Sequence, residues 1–360
     1  MWFRKRKRAT TPLELDRAWR RSLRAAIAKD WAGAETWLER IVEADSQDLD
    51  AYHALARLYR QQGAIGRAIR MHQNLLMRGD LDREARSEAL FELALDFEAG
   101  GYSERAAATY EELLGEQPRN AEVLERLVSL LHTLTEYPRA LALARRLRRR
   151  DKLTGDRLEV QILLSQCEAL GEEGDHSGAR QAIKRCLRRD KTCGAAWDLL
   201  GELEAERGKS ARALAAWKRG ASVDEEAAVT LYPKIAAGFA ERGKSEEFDV
   251  FLGKLLDERP FDHAARIALA RAKASRGETK QAVEELARAL EVAPEHLPLR
   301  IELGRQLLAA GQESEAAKAY GALLDVLDRS SPAANNASDN SSSNASGDAA
   351  GRTRAGERSD

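Results

Sequence analysis

The feature that most constrains this chain is a small residue that recurs about every 34 positions along most of its length. Successive members of this column lie 34, 38, 34, 39, 34, 35, 34 and 34 residues apart, and eight of the nine are alanine. They are Ala34, Ala68, Ala106, Ala140, Ala179, Ala213, Phe248, Ala282 and Ala316. Such a period indicates a stack of similar supersecondary units, because a globular domain with one core has no reason to repeat.

Two further columns share this period. Five residues before the alanine column, seven of nine positions are glycine: Lys29, Gly63, Gly101, Thr135, Gly174, Gly208, Gly243, Gly277 and Gly311. Twelve residues before it lies a second small column: Ser22, Ala56, Ala94, Val128, Cys167, Gly201, Ala236, Ala270 and Gly304. Glycine ends a helix in the left-handed conformation, and small residues allow two helices to cross closely. Each unit is therefore predicted to be a helix-turn-helix hairpin.

The sixth unit carries the fullest pattern, with Trp197, Leu200, Gly201, Gly208 and Ala213. This pattern and the 34-residue period resemble the tetratricopeptide repeat. We predict an all-α fold, a right-handed superhelical solenoid of about nine such repeats over residues 13–328. A basic segment precedes it at 1–12, and a Ser-, Asn- and Ala-rich tail follows at 329–360. That tail is too poor in large apolar residues to order itself, so we expect disorder.

The two longest intervals place insertions near Arg78–Asp82 and Asp151–Asp156. We expect lengthened loops at both, dividing the array into groups of two, two and five repeats. The last repeat helix, near Ser314–Leu327, has no polar capping helix behind it. Its leucines are predicted to leave an apolar end for a homo-oligomer or a partner: Leu323, Leu324 and Leu327. Local repacking over these leucines is the open alternative.

The formal net charge of −1 argues against general polyanion binding but allows local patches. Cations concentrate in the second helices of the fourth and fifth units, where we predict a basic patch on the convex side. Its residues are Arg145, Arg146, Arg148, Arg149, Arg150, Lys184, Arg185, Arg188 and Arg189. An anionic partner and an ordinary solvated helix face both remain open. Nucleic acid is not expected, because single strands need interleaved aromatic residues for stacking.

A concave groove is predicted from first-helix positions that we expect to be exposed. The candidates are Arg57, Arg60, Asp198, Glu202, Glu206, Arg271 and Arg305, together with His53, Glu125 and His132. Their sign alternates along the array, which favours an extended partner of mixed charge. We expect that partner to be a protein, whose identity the sequence does not give.

No catalytic, cofactor or metal site is predicted. Cys167, Cys186 and Cys193 form no Cys-x-x-Cys pair, and the first two fall on packing columns. His72 stands in a core column, so we interpret it as a satisfied core histidine. No stretch reaches the roughly 18 apolar residues of a transmembrane helix. The first residues, Trp2, Phe3, Arg4, Lys5, Arg6, Lys7 and Arg8, fit either contact with an anionic membrane surface or a solvated terminus.

Residues 63–76 are more specific than the general repeat. Their core is Arg67, Ala68, Ile69, His72 and Gln73, and with residues 93–106 it resembles the lipopolysaccharide assembly protein B family. The resemblance implies an array at the cytoplasmic face of the inner membrane that brings a protease together with the deacetylase committing carbon to lipid A. In that family a transmembrane helix precedes the array and a rubredoxin-like zinc domain follows it. Here the basic segment and the Ser-rich tail stand in their places, and no zinc ligand carries over.

We therefore predict a non-enzymatic adaptor in lipopolysaccharide assembly, cytoplasmic or peripheral to the inner membrane. The alternative is a soluble chaperone-like or assembly module that oligomerises through the uncapped C-terminal repeat. The first hypothesis requires binding to a protein partner. The second requires association with another copy of the chain.

Overall fold

The computed structural model describes residues 11–330, which form eighteen α-helices. The first ten are α1 (Pro12–Ile27), α2 (Trp31–Ala44), α3 (Leu49–Gln61), α4 (Ile65–Leu76), α5 (Arg83–Ala99), α6 (Ser103–Glu116), α7 (Ala121–Thr133), α8 (Tyr137–Arg148), α9 (Lys152–Glu172) and α10 (His176–Arg189). The others are α11 (Gly194–Glu206), α12 (Ser210–Val223), α13 (Glu225–Ala240), α14 (Ser245–Glu258), α15 (His263–Ser275), α16 (Thr279–Val292), α17 (Leu297–Ala309) and α18 (Glu313–Ser330). Within these described residues no helix has the length and apolar character needed to cross a membrane.

The helices pair in sequence as hairpins, so the predicted all-helical repeat solenoid is confirmed. The chain divides into two compact units, an N-terminal unit ending at Arg189 and a C-terminal unit beginning at Asp190. Repeats one to five lie in the first unit and repeats six to nine in the second. Inside each unit the first helix of a repeat also packs on the next first helix, as α3 does on α5 and α13 on α15. These neighbouring first helices carry the candidate groove residues.

The turn column behaves as predicted. All nine of its residues within 11–330 have positive φ, including the two that are not glycine, Lys29 at 58° and Thr135 at 60°. A residue with a Cβ pays about 1–2 kcal/mol for this conformation, which explains why glycine fills the other seven positions. The turn geometry therefore holds even where the sequence departs from glycine.

The two small columns also behave as predicted, because they mark where the helices of a hairpin touch. The residues of the alanine column are all buried, with at most 2% of their surface exposed. In the sixth repeat a Cβ on Gly201 would lie 2.2–2.6 Å from ring atoms of Trp217. Cys167 and Cys186 are buried in the packing positions expected of them. Side-chain size in these columns therefore sets how closely two helices approach.

The insertions behave differently from each other. The first lengthens the loop at residues 77–82 and also adds a turn to α5. The loop predicted near Asp151–Asp156 is wrong, because these residues extend α9 to 21 residues. Asp151 caps this helix by accepting hydrogen bonds from the backbone N–H of Thr154 at 3.1 Å and from its hydroxyl at 2.6 Å. The inserted sequence contains no proline, and its one glycine, Gly155, is accommodated within the helix, so the extra residues continue it.

The chain ends bear on two earlier predictions. Thr11 and Glu14 form a reciprocal capping box at the start of α1. The candidate membrane-surface residues, Trp2 to Arg8, lie outside the described residues, as does nearly all of the tail from 329. At the other end Leu324 of α18 is 61% exposed and Leu323 is half-buried. Self-association through this helix stays a prediction.

Candidate functional site

Six of the predicted groove residues form three clusters, each around an oppositely charged residue that was not among the candidates. Arg57 and Arg60 of α3 both contact Glu92 of α5. Asp198 and Glu202 of α11 both bind Lys234 of α13. Arg271 of α15 and Arg305 of α17 both bind Glu302 of α17. Glu206 is exposed at the end of α11. Much of the alternating charge is thus neutralised between neighbouring repeats.

The first cluster is the most buried of the three. Arg60 binds Glu92 at 2.8 Å and Asp96 at 2.7 Å, and Arg57 binds Glu92 at 2.8 Å. The side chain of Asp96 has no exposed surface, and that of Arg60 is 19% exposed. Such a pair tolerates burial only because each charge has a partner. These contacts fasten α3 to α5.

Two histidines extend this cluster into the core. Nδ1 of His72 lies 2.6 Å from Asp96 and donates to its carboxylate, which can only accept. Nε2 of His72 lies 3.2 Å from Nδ1 of His53. The predicted exposure of His53 is wrong, because only 3% of this residue is exposed. We call these six residues the second-repeat network: His53, Arg57, Arg60, His72, Glu92 and Asp96.

The second-repeat network holds neighbouring helices together. His72 and Asp96 have the relative orientation of a base and its orienting carboxylate, but both side chains are completely buried. A general base must reach the substrate proton directly or through one water. We therefore interpret this pair as a structural link among α3, α4 and α5.

The second-repeat network should make the N-terminal unit sensitive to acid. Burial, reinforced by His72, lowers the pKa of His53 below its ordinary value of 6.5. Burial alone would raise the pKa of Glu92, but hydrogen bonds from Arg57 and Arg60 outweigh it and hold that pKa below 4.5. In both cases the unfolded chain binds protons first as the pH falls, so acid favours unfolding.

We therefore expect the free energy of unfolding to fall as the pH drops below about 6.5, through His53, and again below about 4.5, through Glu92. Urea unfolding at a series of pH values would measure the free energy of unfolding. Hydrogen exchange would show whether the loss of stability lies in α3–α5. In α3–α5 the His53→Gln variant should lose the upper step and keep the lower one, whereas His296 contributes a separate loss of stability to the C-terminal unit in the same pH range. Identical pH profiles for this variant and the natural chain would contradict the assignment of the upper step to His53.

The other two clusters leave net charge of opposite sign in the C-terminal unit. Lys234 binds Asp198 and Glu202 at 2.6 Å each, which leaves one negative charge in excess. Glu302 is 1% exposed and meets Arg271 at 2.7 Å and Arg305 at 3.0 Å, which leaves one positive charge in excess. A partner lying on this surface therefore meets a negative cluster and then a positive one.

The candidate basic patch is partly neutralised by the extended helix α9. Glu159, whose side chain is 4% exposed, lies 3.0 Å from Arg189 and 3.6 Å from both Arg145 and Arg148. Asp156 also contacts Arg148 and Arg189. Asp156 stands on the segment predicted to be a loop, and Glu159 lies about one turn further along α9. Helix extension thus brings α8 and α10 together through these ion pairs.

The rest of the patch faces solvent or the backbone. Arg146 donates to the carbonyl of Pro118 at 2.5 Å. Partial burial, with Arg145 and Arg188 nearby, lowers the pKa of Arg185. Six of the nine patch residues are exposed: Arg145, Arg149, Arg150, Lys184, Arg188 and Arg189. Arg149 and Arg150 follow the end of α8 rather than lying within it. An anionic partner for this face stays a prediction.

An apolar pocket opens in the C-terminal unit beside the third charged cluster. It has a volume of about 620 Å³ and lies among α13, α14, α15 and the start of α17. Its walls include Val229, Pro233, Ile267 and Ala268, and Arg271 is at its edge. We call it the seventh-repeat pocket. Arg271 is one of the predicted groove residues, whereas the pocket itself was not predicted from the sequence.

Comparison with known proteins agrees with this architecture. The family model described as tetratricopeptide repeat matches residues 91–153 and 166–223. Over these residues the chain contains tetratricopeptide repeats. It resembles lipopolysaccharide assembly protein B of Escherichia coli K12, with 26% identity over 221 residues, 61% of this chain and 56% of that protein. The protein of that name from Haemophilus influenzae is 28% identical over 169 residues, 46% of this chain and 41% of its own length.

The chain spans about half the length of the curated relatives it matches. Among solved structures, MamA is 18% identical with a TM-score of 0.33, covering 48% of this chain and 93% of that one. At that score the overlap says nothing about function. Within residues 11–330 no group of three His, Cys, Asp or Glu residues is placed to hold a metal ion.

Proposed function

We propose that this protein is a non-enzymatic adaptor that binds a protein partner on the first-helix surface of its C-terminal unit. The observation that carries the proposal is the seventh-repeat pocket, which places an open apolar surface beside an exposed arginine. Binding sites of this kind are concave and mostly apolar, with a few polar groups that orient the ligand. Tetratricopeptide repeats are suited to this role because stacked hairpins create extended binding surfaces.

We further propose that the adaptor acts in the regulation of lipopolysaccharide assembly, at the cytoplasmic face of the inner membrane. Support comes from the similarity to two proteins named lipopolysaccharide assembly protein B. The segment that carries the sequence resemblance, residues 63–76, also supplies His72 to the second-repeat network. The resemblance therefore includes a residue with a structural task in the repeat stack.

Site-specific photo-crosslinking in the cells that make the protein would test the adaptor proposal. A crosslinking amino acid at Ile267, inside the pocket, should give a discrete protein adduct. The same group at Lys280, exposed on α16, should not. Deleting the gene should also change the cellular amount of lipopolysaccharide, and the full chain should restore it. The absence of a protein adduct at Ile267 would count against the adaptor, and unchanged lipopolysaccharide would count against its proposed pathway.

A further inference from the structure

The seventh repeat breaks a packing rule that the other repeats obey. Phe248 of α14 occupies the position where the other eight repeats have a buried alanine. This residue is 2% exposed, and the centroid of its ring lies 6.1 Å from the ring centroid of Phe239. A ring at the closest approach of two helices needs more room than a methyl group. We therefore expect α13 and α14 to lie further apart than the helices of an alanine hairpin.

The exposure of the facing helix agrees with this expectation. Ala236 of α13 belongs to the second small column, whose alanines in other repeats, Ala56, Ala94 and Ala270, are 0% exposed. Ala236 itself is only half-buried and lines the seventh-repeat pocket together with Phe248. The substitution of phenylalanine for alanine thus coincides with an opening. The pocket thus lies where the seventh repeat departs from the packing of the others.

The walls of the pocket are apolar and accessible. Val229 is 55% exposed, and Ile267, Ala268 and Pro298 continue the apolar lining. Pro233, which lies inside α13, adds a further apolar group to this lining. The pocket therefore offers mainly apolar contact.

The charge at the edge of the pocket is positive. Arg271 is the one lysine, arginine, aspartate or glutamate among the described residues that line it, and its side chain is 54% exposed. Glu302 uses one carboxylate to satisfy both Arg271 and Arg305, so its charge does not cancel theirs. Burial, with His263 nearby, lowers the pKa of His296 and keeps that lining residue neutral near pH 7. Arg271 retains N–H donors beyond the one that meets Glu302.

We propose that the seventh-repeat pocket binds a protein segment in which an apolar side chain is followed or preceded closely by aspartate or glutamate. The apolar side chain fills the space opened by Phe248, and the carboxylate binds the exposed donors of Arg271. This inference rests on the proposed adaptor function and names the chemistry of the partner at the same site. A carboxylate is favoured because charge-assisted hydrogen bonds to arginine are stronger than neutral ones.

The test uses the full chain and a displayed library of short random peptides. Selected peptides should combine apolar residues with aspartate or glutamate. Ala268→Phe fills the pocket, and we expect it to weaken the best peptide by about tenfold or more. Ala264→Leu fills the same pocket from another lining position, which guards against a folding defect in a single variant. Circular dichroism on each variant would check that the helices persist.

The charge requirement has a matched control. Arg271→Gln and Arg305→Gln each remove one ion pair from Glu302, but only Arg271 lines the pocket. Arg271→Gln should weaken the acidic peptide about tenfold and leave its Asn or Gln analogue unchanged, while Arg305→Gln stays within about twofold. Failure to select any peptide, equal binding by Ala268→Phe, or equal losses for the two arginine variants would each overturn the inference. A crosslink at Ile267 that persists in Ala268→Phe would leave the adaptor standing and refute only the partner chemistry.

Discussion

Replacing Asp96 with alanine is expected to destabilise the N-terminal unit by about 3–5 kcal/mol, the usual result of breaking a buried ion pair. The carboxylate of Asp96 is fully buried and is shared by Arg60 and His72. Its removal leaves His72 with no acceptor at Nδ1 and deprives Arg60 of one of its two carboxylate partners. Most of this loss in the free energy of unfolding comes from His72 and Arg60. A buried donor without a partner has lost its hydrogen bonds to water and gained none in the protein.

A matched control lies on the same helix. Glu88 contacts Arg57 at 3.4 Å, but its side chain is 49% exposed, so Glu88→Gln should cost no more than about 1 kcal/mol. Urea unfolding would give both values, and hydrogen exchange would locate the loss. Because each repeat contacts only its neighbours, we expect the loss of protection in α3–α5 to exceed that in the C-terminal unit. Equal losses for Asp96→Ala and Glu88→Gln would show that the second-repeat network is not the main link between these helices.

The sequence contained a signal for this network that a column-by-column comparison exposes. Asp96 stands two residues after the small column, at a position where Leu58, Leu130 and Leu203 are apolar. His72 stands in the column filled by Tyr110 and Trp217 in other repeats. Two polar residues at core positions of adjacent repeats must satisfy each other, because burying either one alone is costly. Searching for pairs one repeat apart, rather than on one helix, would have found them.

The groove clusters follow the same logic. Glu92 lies 35 residues after Arg57, and Lys234 lies 36 residues after Asp198, close to one repeat in each case. Charges that alternate along such an array are therefore first of all partners for one another. What the sequence could not supply was the balance left at each cluster, because a shared carboxylate such as Glu302 depends on side-chain geometry. The excess charge beside the seventh-repeat pocket emerges only from that geometry.

The helices and turns were the most predictable part of the fold. Each repeat specifies its own turn locally, and the same columns recur in all nine repeats. The loop prediction at Asp151–Asp156 is wrong because extra length between repeats can extend a helix instead of a loop. Its residues include an N-cap and good helix formers, so local propensity favoured continuing α9. The pocket was missed for another reason. Phe248 was visible as an exception, but whether a large residue is absorbed or opens a cleft depends on packing.

The extension of α9 depends on a close approach that only glycine allows, and Gly155→Ala is expected to cost about 1–3 kcal/mol as an overpacked substitution. A Cβ at this position would lie 2.5 Å from Cα of Arg148 and 2.6 Å from its backbone nitrogen. Backbone atoms cannot move aside as a flexible side chain can, so α9 must shift away from α8. That shift would also draw Glu159 away from Arg145 and Arg148 and leave the basic patch less neutralised.

Gly171 supplies a control on the same helix with the opposite expected sign. A Cβ there meets nothing within 4 Å, so Gly171→Ala should stabilise the chain by about 0.4–1 kcal/mol by restricting the unfolded state. Urea unfolding of both variants would measure the two changes in stability. Binding of a polyanion such as heparin at low salt would measure the positive charge that the basic patch presents. We expect Gly155→Ala to bind heparin more tightly than Gly171→Ala, because Glu159 of α9 then lies further from the arginines that it neutralises. Stabilisation by both substitutions would mean that the contact between α8 and α9 is looser than described, and that Glu159 reaches its arginines without help from Gly155.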